Sequence, residues 1–301
     1  INFMKDSLNV LPLLLVGTGV ILFSFSDVVF KILTSLDILW WDFLVFGVPF
    51  EILLILIITG IRKDFNKRKI YEELMPKRLF YPVLRGLISV FALASVFISL
   101  KNLPLSLTTM LIQTTPIWMA IISFFSYEEK PSFVIIFSII LGMLGIVFII
   151  NPTLKFTDIN VFLIFPVIVA IINAFMNYIV TRRPNDASPM SYALVLFIIN
   201  GLAGIIIWLY FGINFPNLYE LTLIILAALL GATAFIFISY GYSIAKGHFA
   251  RTGVMGFIQL PASIVLGFFI FNESLKFNAY FGSLLIIIAG ANAIYGLKNA
   301  N

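Results

Sequence analysis

Three acids and one base stand inside stretches of sequence that are otherwise apolar. Asp27, Asp42 and Glu51 fall in the first two such stretches and Arg85 in the third. An ionised side chain at the centre of a bilayer costs about 2.5–3.5 kcal/mol on insertion scales, so each of these needs a partner or a task. A carboxylate held there can act as counter-ion to a cationic group or carry a proton. Asp27 also has a local alternative, since Lys31 follows one helical turn later in the favourable acid-first order. Asp42 follows Trp40 and Trp41, which fits an interfacial position. The structural alternative for Glu51 is a protonated carboxyl hydrogen-bonded within a helix bundle. Neutral polar residues form narrow stripes at spacings of three and four, which place them on one helix face. These stripes are Arg85, Ser89, Ala92, Ser95 and Ser99; Ser106, Thr109 and Gln113; Ala170, Asn173, Asn177 and Thr181; and Thr252, Met255, Gln259 and Ser263. In lipid such faces turn inward, where they line a cavity or bond helix to helix. Gln113, Asn173, Asn177 and Gln259 are the candidates for a cavity, with Trp41, Tyr178, Tyr240 and Tyr242 as aromatic walls suited to a cationic ligand.

The elements that would position these residues are membrane spans. The chain has 301 residues, 61% hydrophobic and only 11% charged, with a mean hydropathy of +1.09. A soluble domain averages nearer 45–50% apolar and 25% charged. Runs of about 20 apolar residues recur, each long enough for a hydrocarbon core of about 30 Å. Ten spans are predicted, near 9–33, 37–61, 79–100, 105–126, 132–150, 159–181, 189–212, 220–244, 249–271 and 277–297. Segment 62–78 is the one long polar stretch, amphipathic and suited to the membrane surface. No cleavable signal peptide pattern precedes the first span.

Several function classes lack their parts. There is no cysteine and one histidine, His248, and no zinc-peptidase, nucleophile-elbow or phosphate-loop motif. No catalytic residue, cofactor or metal site is expected. The net charge of +5 sits in short loops, where it sets membrane orientation rather than marking a nucleic-acid partner. With the N-terminus placed inside, Lys31, Lys101, Lys155 and Lys276 face out. Arg85 lies within a span, and the remaining 14 of the 19 Lys and Arg face in. That bias predicts a multi-pass protein of the cell inner or plasma membrane with both termini cytoplasmic.

The chain also repeats itself. A shift of 145 carries Met110 onto Met255, Pro116 onto Pro261 and Glu128 onto Glu273, and likewise Gly86 onto Gly231, Lys101 onto Lys246 and Gly145 onto Gly290. A constant offset over about sixty residues marks a duplication. The predicted units are 9–150 and 159–297. Five spans per unit is an odd number, so the second unit enters the membrane from the opposite side. An inverted repeat of this kind supports alternating access.

Residues shared by both copies read as scaffold. Glu128 and Glu273 lie at helix ends. Pro116 and Pro261 each remove a helix hydrogen bond and free the carbonyls of Ile112 and Phe257, which makes a packing kink or a hinge lining a cavity. Asp27, Asp42 and Glu51 have no acidic counterpart: a shift of 151 sends them to Tyr178, Ala193 and Leu202. Gly142 with Gly145, and Gly201 with Gly204, permit close helix contact.

The order Arg85-Gly86, Leu100 to Pro104, Pro116, Glu128, Gly142, Gly145 and Asn151-Pro152, followed by Tyr240 to Ala245, Pro261, Glu273 and Gly282 to Gly290, resembles the EamA-type permeases of the drug/metabolite transporter superfamily. Ser24 to Lys31 looks like the branch with S-adenosylmethionine carriers, which have an Asp and a Lys four apart near the outer end of the first helix. That branch usually has an arginine in its second helix, where this chain reads Phe46 to Glu51 and offers an acid. The resemblance implies ten helices in two inverted repeats and carriage of a small organic solute. The expected cargo is a zwitterionic or cationic metabolite, an amino-acid derivative or S-adenosylmethionine-like compound, with a proton as coupling ion at Glu51. The alternatives are an exporter of amino acids or drug-like metabolites, a channel, or a membrane subunit without transport.

Overall fold

The computed structural model describes residues 2–125, 132–150, 161–212, 214–245, 249–273 and 277–295, all helix or short connection. The helices are α1 (Asn2–Ser35), α2 (Trp40–Arg62), α3 (Lys67–Leu74), α4 (Phe80–Asn102), α5 (Leu105–Ile112), α6 (Thr115–Phe125), α7 (Phe133–Ile150), α8 (Ile164–Arg182), α9 (Pro189–Phe211), α10 (Leu218–Ile244), α11 (Phe249–Val254), α12 (Gln259–Phe271) and α13 (Phe277–Tyr295). Among the described residues, eight helical runs are long and apolar enough to cross a membrane, and Phe133–Gly145 is a shorter apolar one. Glu128, His248 and the turns at Lys130-Pro131 and Asn151-Pro152 lie outside the described residues.

Local chemistry explains where the helices begin. Asp42 accepts the Leu39 N–H at the head of α2. Asn66 accepts from Arg68 and Lys69 at the head of α3, the surface helix within the polar segment. Ser188 accepts from Ser191, with Pro189 in the first turn of α9, and Asn217 and Glu220 exchange bonds at the start of α10. Each such cap contributes on the order of 1 kcal/mol.

The two runs that contain the equivalent prolines are broken. The first stops at Ile112 and restarts at Thr115, so Pro116 stands in the first turn of α6. The Ile112 carbonyl, which has lost its helical donor, accepts the Thr115 hydroxyl at 2.6 Å. The second passes from α11 through a 3-10 turn, Met255–Ile258, into α12, with Pro261 again in the first turn. A proline is well tolerated there and not in a helix interior.

Helices from the two halves of the chain interleave. α1 packs on α10, α2 on α9, α7 on α13, and α4 on α8 and α9. Lipid removes most of the hydrophobic drive between helices, so close packing and polar bonds must hold them. Gly204 shows the first: a Cβ there would lie 2.5 Å from the Cβ of Leu44 on α2. Ser26 shows the second, donating from α1 to the Ala227 carbonyl on α10 at 3.2 Å.

Candidate functional site

A cavity of about 190 Å³ lies in the middle of the bundle. It is walled by α1, α2, α4, α8, α9 and α10, and by the two helix breaks. Its wall is mostly aliphatic and aromatic, with Phe23, Phe30, Phe43, Phe197, Phe235 and Tyr242 contributing rings. The polar wall consists of Asp27, Glu51, Ser89, Gln113, Thr115, Asn173, Asn177, Asn200 and Gln259. Two carboxyl groups therefore face this space and no Lys, Arg or His does, among the described residues.

The two acids have different surroundings. Asp27, only 8% exposed, accepts the Gln259 side-chain amide at 2.8 Å. Gln259 in turn accepts from Gln113 at 2.5 Å. One chain of bonds thus runs from α1 to α12 at one break and on to Gln113 at the other. Gly256 makes room for it, since a Cβ there would lie 3.1 Å from the Gln113 amide oxygen. Glu51, 6% exposed, makes no hydrogen bond or ion pair with any described residue. In the same cavity wall, Ser89 on α4 donates to the Asn200 amide oxygen on α9 at 2.7 Å. A charge in an apolar wall acts at a low effective dielectric, where the attraction for a cation is several times that in water. Phenyl faces around the same space favour cations as well.

The expected site residues divide into two groups. Asp27, Glu51, Gln113, Asn173, Asn177 and Gln259 line the cavity. Trp41, Arg85, Tyr178 and Tyr240 do not. Trp41 stacks on Phe211 with ring centroids 5.7 Å apart. Arg85 is 1% exposed, lies 4.5 Å from the Phe235 ring centroid, and donates to Ser239 at 3.2 Å. Tyr178 sits 5.6 Å beneath the Arg182 guanidinium. The Tyr240 hydroxyl meets Arg62 and Glu73.

One local expectation is corrected. Lys31 does not pair with Asp27. It donates to the carbonyls of Leu100 and Leu103 at 2.6 and 2.7 Å, because the end of α4 offers backbone acceptors with no helical donor. Asp42 is fully buried in the first turn of α2, where it accepts the Leu39 N–H. Glu273 accepts the N–H groups of Leu105 and Ser106 and the Ser106 hydroxyl, so it caps α5 from the other half of the chain. Asn200 was not expected at the site. Its signal was available: it is a single amide within the apolar run of α9.

Residues 10–151 match the EamA-like transporter family. The chain is similar to S-adenosylmethionine uptake transporters of Rickettsia prowazekii (strain Madrid E) and Rickettsia conorii (strain ATCC VR-613 / Malish 7), each 24% identical over 76% of both chains. The protein of the same name from Rickettsia bellii (strain RML369-C) is 25% identical over 76% of this chain and 77% of its own. A solved crystal structure superposes with a TM-score of 0.69 at 15% identity, over 95% of this chain and 98% of that one. At that identity the likeness speaks for the fold alone.

Proposed function

We propose that this chain, whose residues 10–151 match the EamA-like transporter family, is a membrane transporter of small metabolites whose central cavity binds a zwitterionic or cationic organic solute and opens to the two membrane faces in turn. The observation that supports the substrate class is the charge of the wall: Asp27 and Glu51, with no basic residue among the described residues that line it. Glu51 is the primary cation partner and the candidate for proton coupling, since no protein group competes for it. Asp27, Gln113 and Gln259 set the polar end, and Asn173, Asn177 and Asn200 are the amides for a substrate's polar groups. An amino-acid derivative resembling S-adenosylmethionine meets these requirements, and the names of the rickettsial relatives agree with it.

Alternating access is proposed from two five-helix units, 9–150 and 159–297, inserted in opposite senses, with both termini cytoplasmic. Matching contacts between the halves support the division into two equivalent units. α1 meets α10 as α4 meets α8, α2 meets α10 as α4 meets α9, and α1 meets α12 as α8 meets α6. Exchange of the two units' conformations then converts one open state into the other.

The test is uptake into proteoliposomes of labelled cationic, zwitterionic and anionic solutes, with counterflow as the readout. Saturable counterflow of cationic or zwitterionic solutes supports the reading. Transport of anions alone defeats the charge argument, and flux without counterflow makes the protein a channel.

A further inference from the structure

A second concavity lies at the end of the bundle where basic residues concentrate. It is a cleft of about 560 Å³, lined by Lys77, Arg78, Arg182, Arg183, Asn185 and Asp186 among others. Two distant segments build it: the run entering α4 and the turn between α8 and α9. Backbone bonds join them. The N–H groups of Lys77 and Arg78 both donate to the Asp186 carbonyl, at 2.7 and 3.0 Å. The Asp186 N–H returns to the Arg183 carbonyl at 3.2 Å, which also accepts the Tyr192 hydroxyl at 2.9 Å. The cleft is thus a shaped part of the fold and not a chance gathering of mobile lysines.

Its charge is unbalanced. Among the described residues lining the cleft, Lys77, Arg78 and Arg183 stand with one carboxylate, Asp186, and the Arg78 Nε to Asp186 Oδ1 distance is 3.9 Å. The Arg183 guanidinium lies over the Tyr81 ring at 4.8 Å. Stacking of this kind fixes the plane of the group and leaves its N–H edge for an oxyanion. Leu79 and Phe80 follow Arg78 directly and are 61% and 70% exposed. They offer an apolar surface next to the basic one. A free anion has no use for that pairing, whereas a lipid has both a charged head and apolar chains.

We infer that this cleft binds the phosphate oxyanion of an anionic phospholipid, with Lys77, Arg78 and Arg183 around the headgroup and Leu79 and Phe80 along the acyl chains. Basic pockets at the cytoplasmic ends of membrane helices hold such headgroups. A bound lipid joins the two segments and so acts on the part of the bundle where the halves meet. The assignment does not depend on what the central cavity carries.

The experiment uses the detergent-purified full chain, with native mass spectrometry and thermal shift as readouts. The probes are dioleoylphosphatidylglycerol, dioleoylphosphatidylcholine and glycerol phosphate. Phosphatidylglycerol is expected to bind and raise Tm, and the other two to do neither at equal concentration. The Lys77→Gln/Arg183→Gln double variant is expected to bind phosphatidylglycerol at least about tenfold more weakly. Arg68→Gln/Lys69→Gln, on exposed positions of α3, is expected to change it by less than about twofold. Lys77→Gln alone, at an exposed side chain, replaces the double variant if that does not fold, with a severalfold loss expected. Unchanged binding in the cleft variants overturns the site. An equal loss in the α3 variant makes the attraction diffuse charge and overturns it too. Glycerol phosphate binding as tightly as the lipid overturns the lipid assignment in favour of a soluble anion.

Discussion

Asp27 and Glu51 line one cavity and are almost equally buried, yet among the described residues only Asp27 has a hydrogen-bond partner. Asp27 ends a bonded series through Gln259 to Gln113, which joins α1 to both helix breaks. Glu51 faces the same space with no partner among the described residues. A buried polar group without a partner costs about 1–3 kcal/mol, more when charged. Such a cost at one acid, set beside a bonded acceptor at the other, supports the proposed role of Glu51 as the solute's partner. On that proposal Asp27 serves two ends, since it holds the frame as well as lining the cavity.

Replacing each acid should separate these roles. The largest effect is expected from Glu51→Gln, which keeps size and removes charge. Uptake of a cationic solute should fall at least about tenfold, equivalent to about 1.4 kcal/mol, with little change in Tm. Exchange should persist while the pH dependence of uptake disappears, and an unaltered pH dependence would remove the coupling role. Asp27→Leu comes next and should act on stability instead. It strands the Gln259 amide, so a loss of about 1–3 kcal/mol is expected by thermal or denaturant unfolding. Asp27→Asn keeps an acceptor for that amide and should retain most of the stability while lowering uptake severalfold. Equal loss of Tm in Glu51→Gln and Asp27→Leu would erase the distinction between the two acids.

The smallest effect belongs outside the membrane. Lys101 donates to Asp37 at 2.8 Å, and this bond with the lysine charge holds the Asp37 carboxyl below the usual aspartate range. A carboxyl whose folded-state value is lowered adds stability above its unfolded value near ~4, and that stability is lost as pH falls through the folded value. Asp37→Asn should therefore lower Tm slightly at neutral pH and not at all under strong acid. The pair is well exposed, so the shift should be small and should vanish at high salt.

Much of this arrangement can be read before any coordinates. Apolar length marks the spans, and the repeated prolines mark where two of them break, because proline cannot sit in a helix interior without loss. The polar stripes carried Gln113, Asn173, Asn177 and Gln259 to the cavity, since a lone amide in lipid must turn inward. The aromatic residues were not legible in the same way. Spans that are apolar all round give no moment by which to tell an inward ring from an outward one, so Trp41, Tyr178 and Tyr240 went elsewhere. Lys31 shows a different limit. An i,i+4 pair is a local inference worth a few tenths of a kcal/mol, and it lost to backbone carbonyls at the end of α4, a helix that sequence spacing does not bring near. Arg85 was visible as a buried charge. Its stack against Phe235 and its bond to Ser239 are made with side chains of α10, from the other half of the chain, and could not be seen from the residue's own surroundings.

The charge of the cavity can be measured directly because the chain has no cysteine. Ser89→Cys would place a single thiol in the wall. Its reaction with a trimethylammonium methanethiosulfonate and with a sulfonate one is compared, each relative to the reagent's rate with a free thiol in solution. A cavity governed by Glu51 should favour the cationic reagent by at least about tenfold, and the preference should collapse in the Glu51→Gln background. Equal relative rates, or a preference for the sulfonate, would contradict a cation-selecting site.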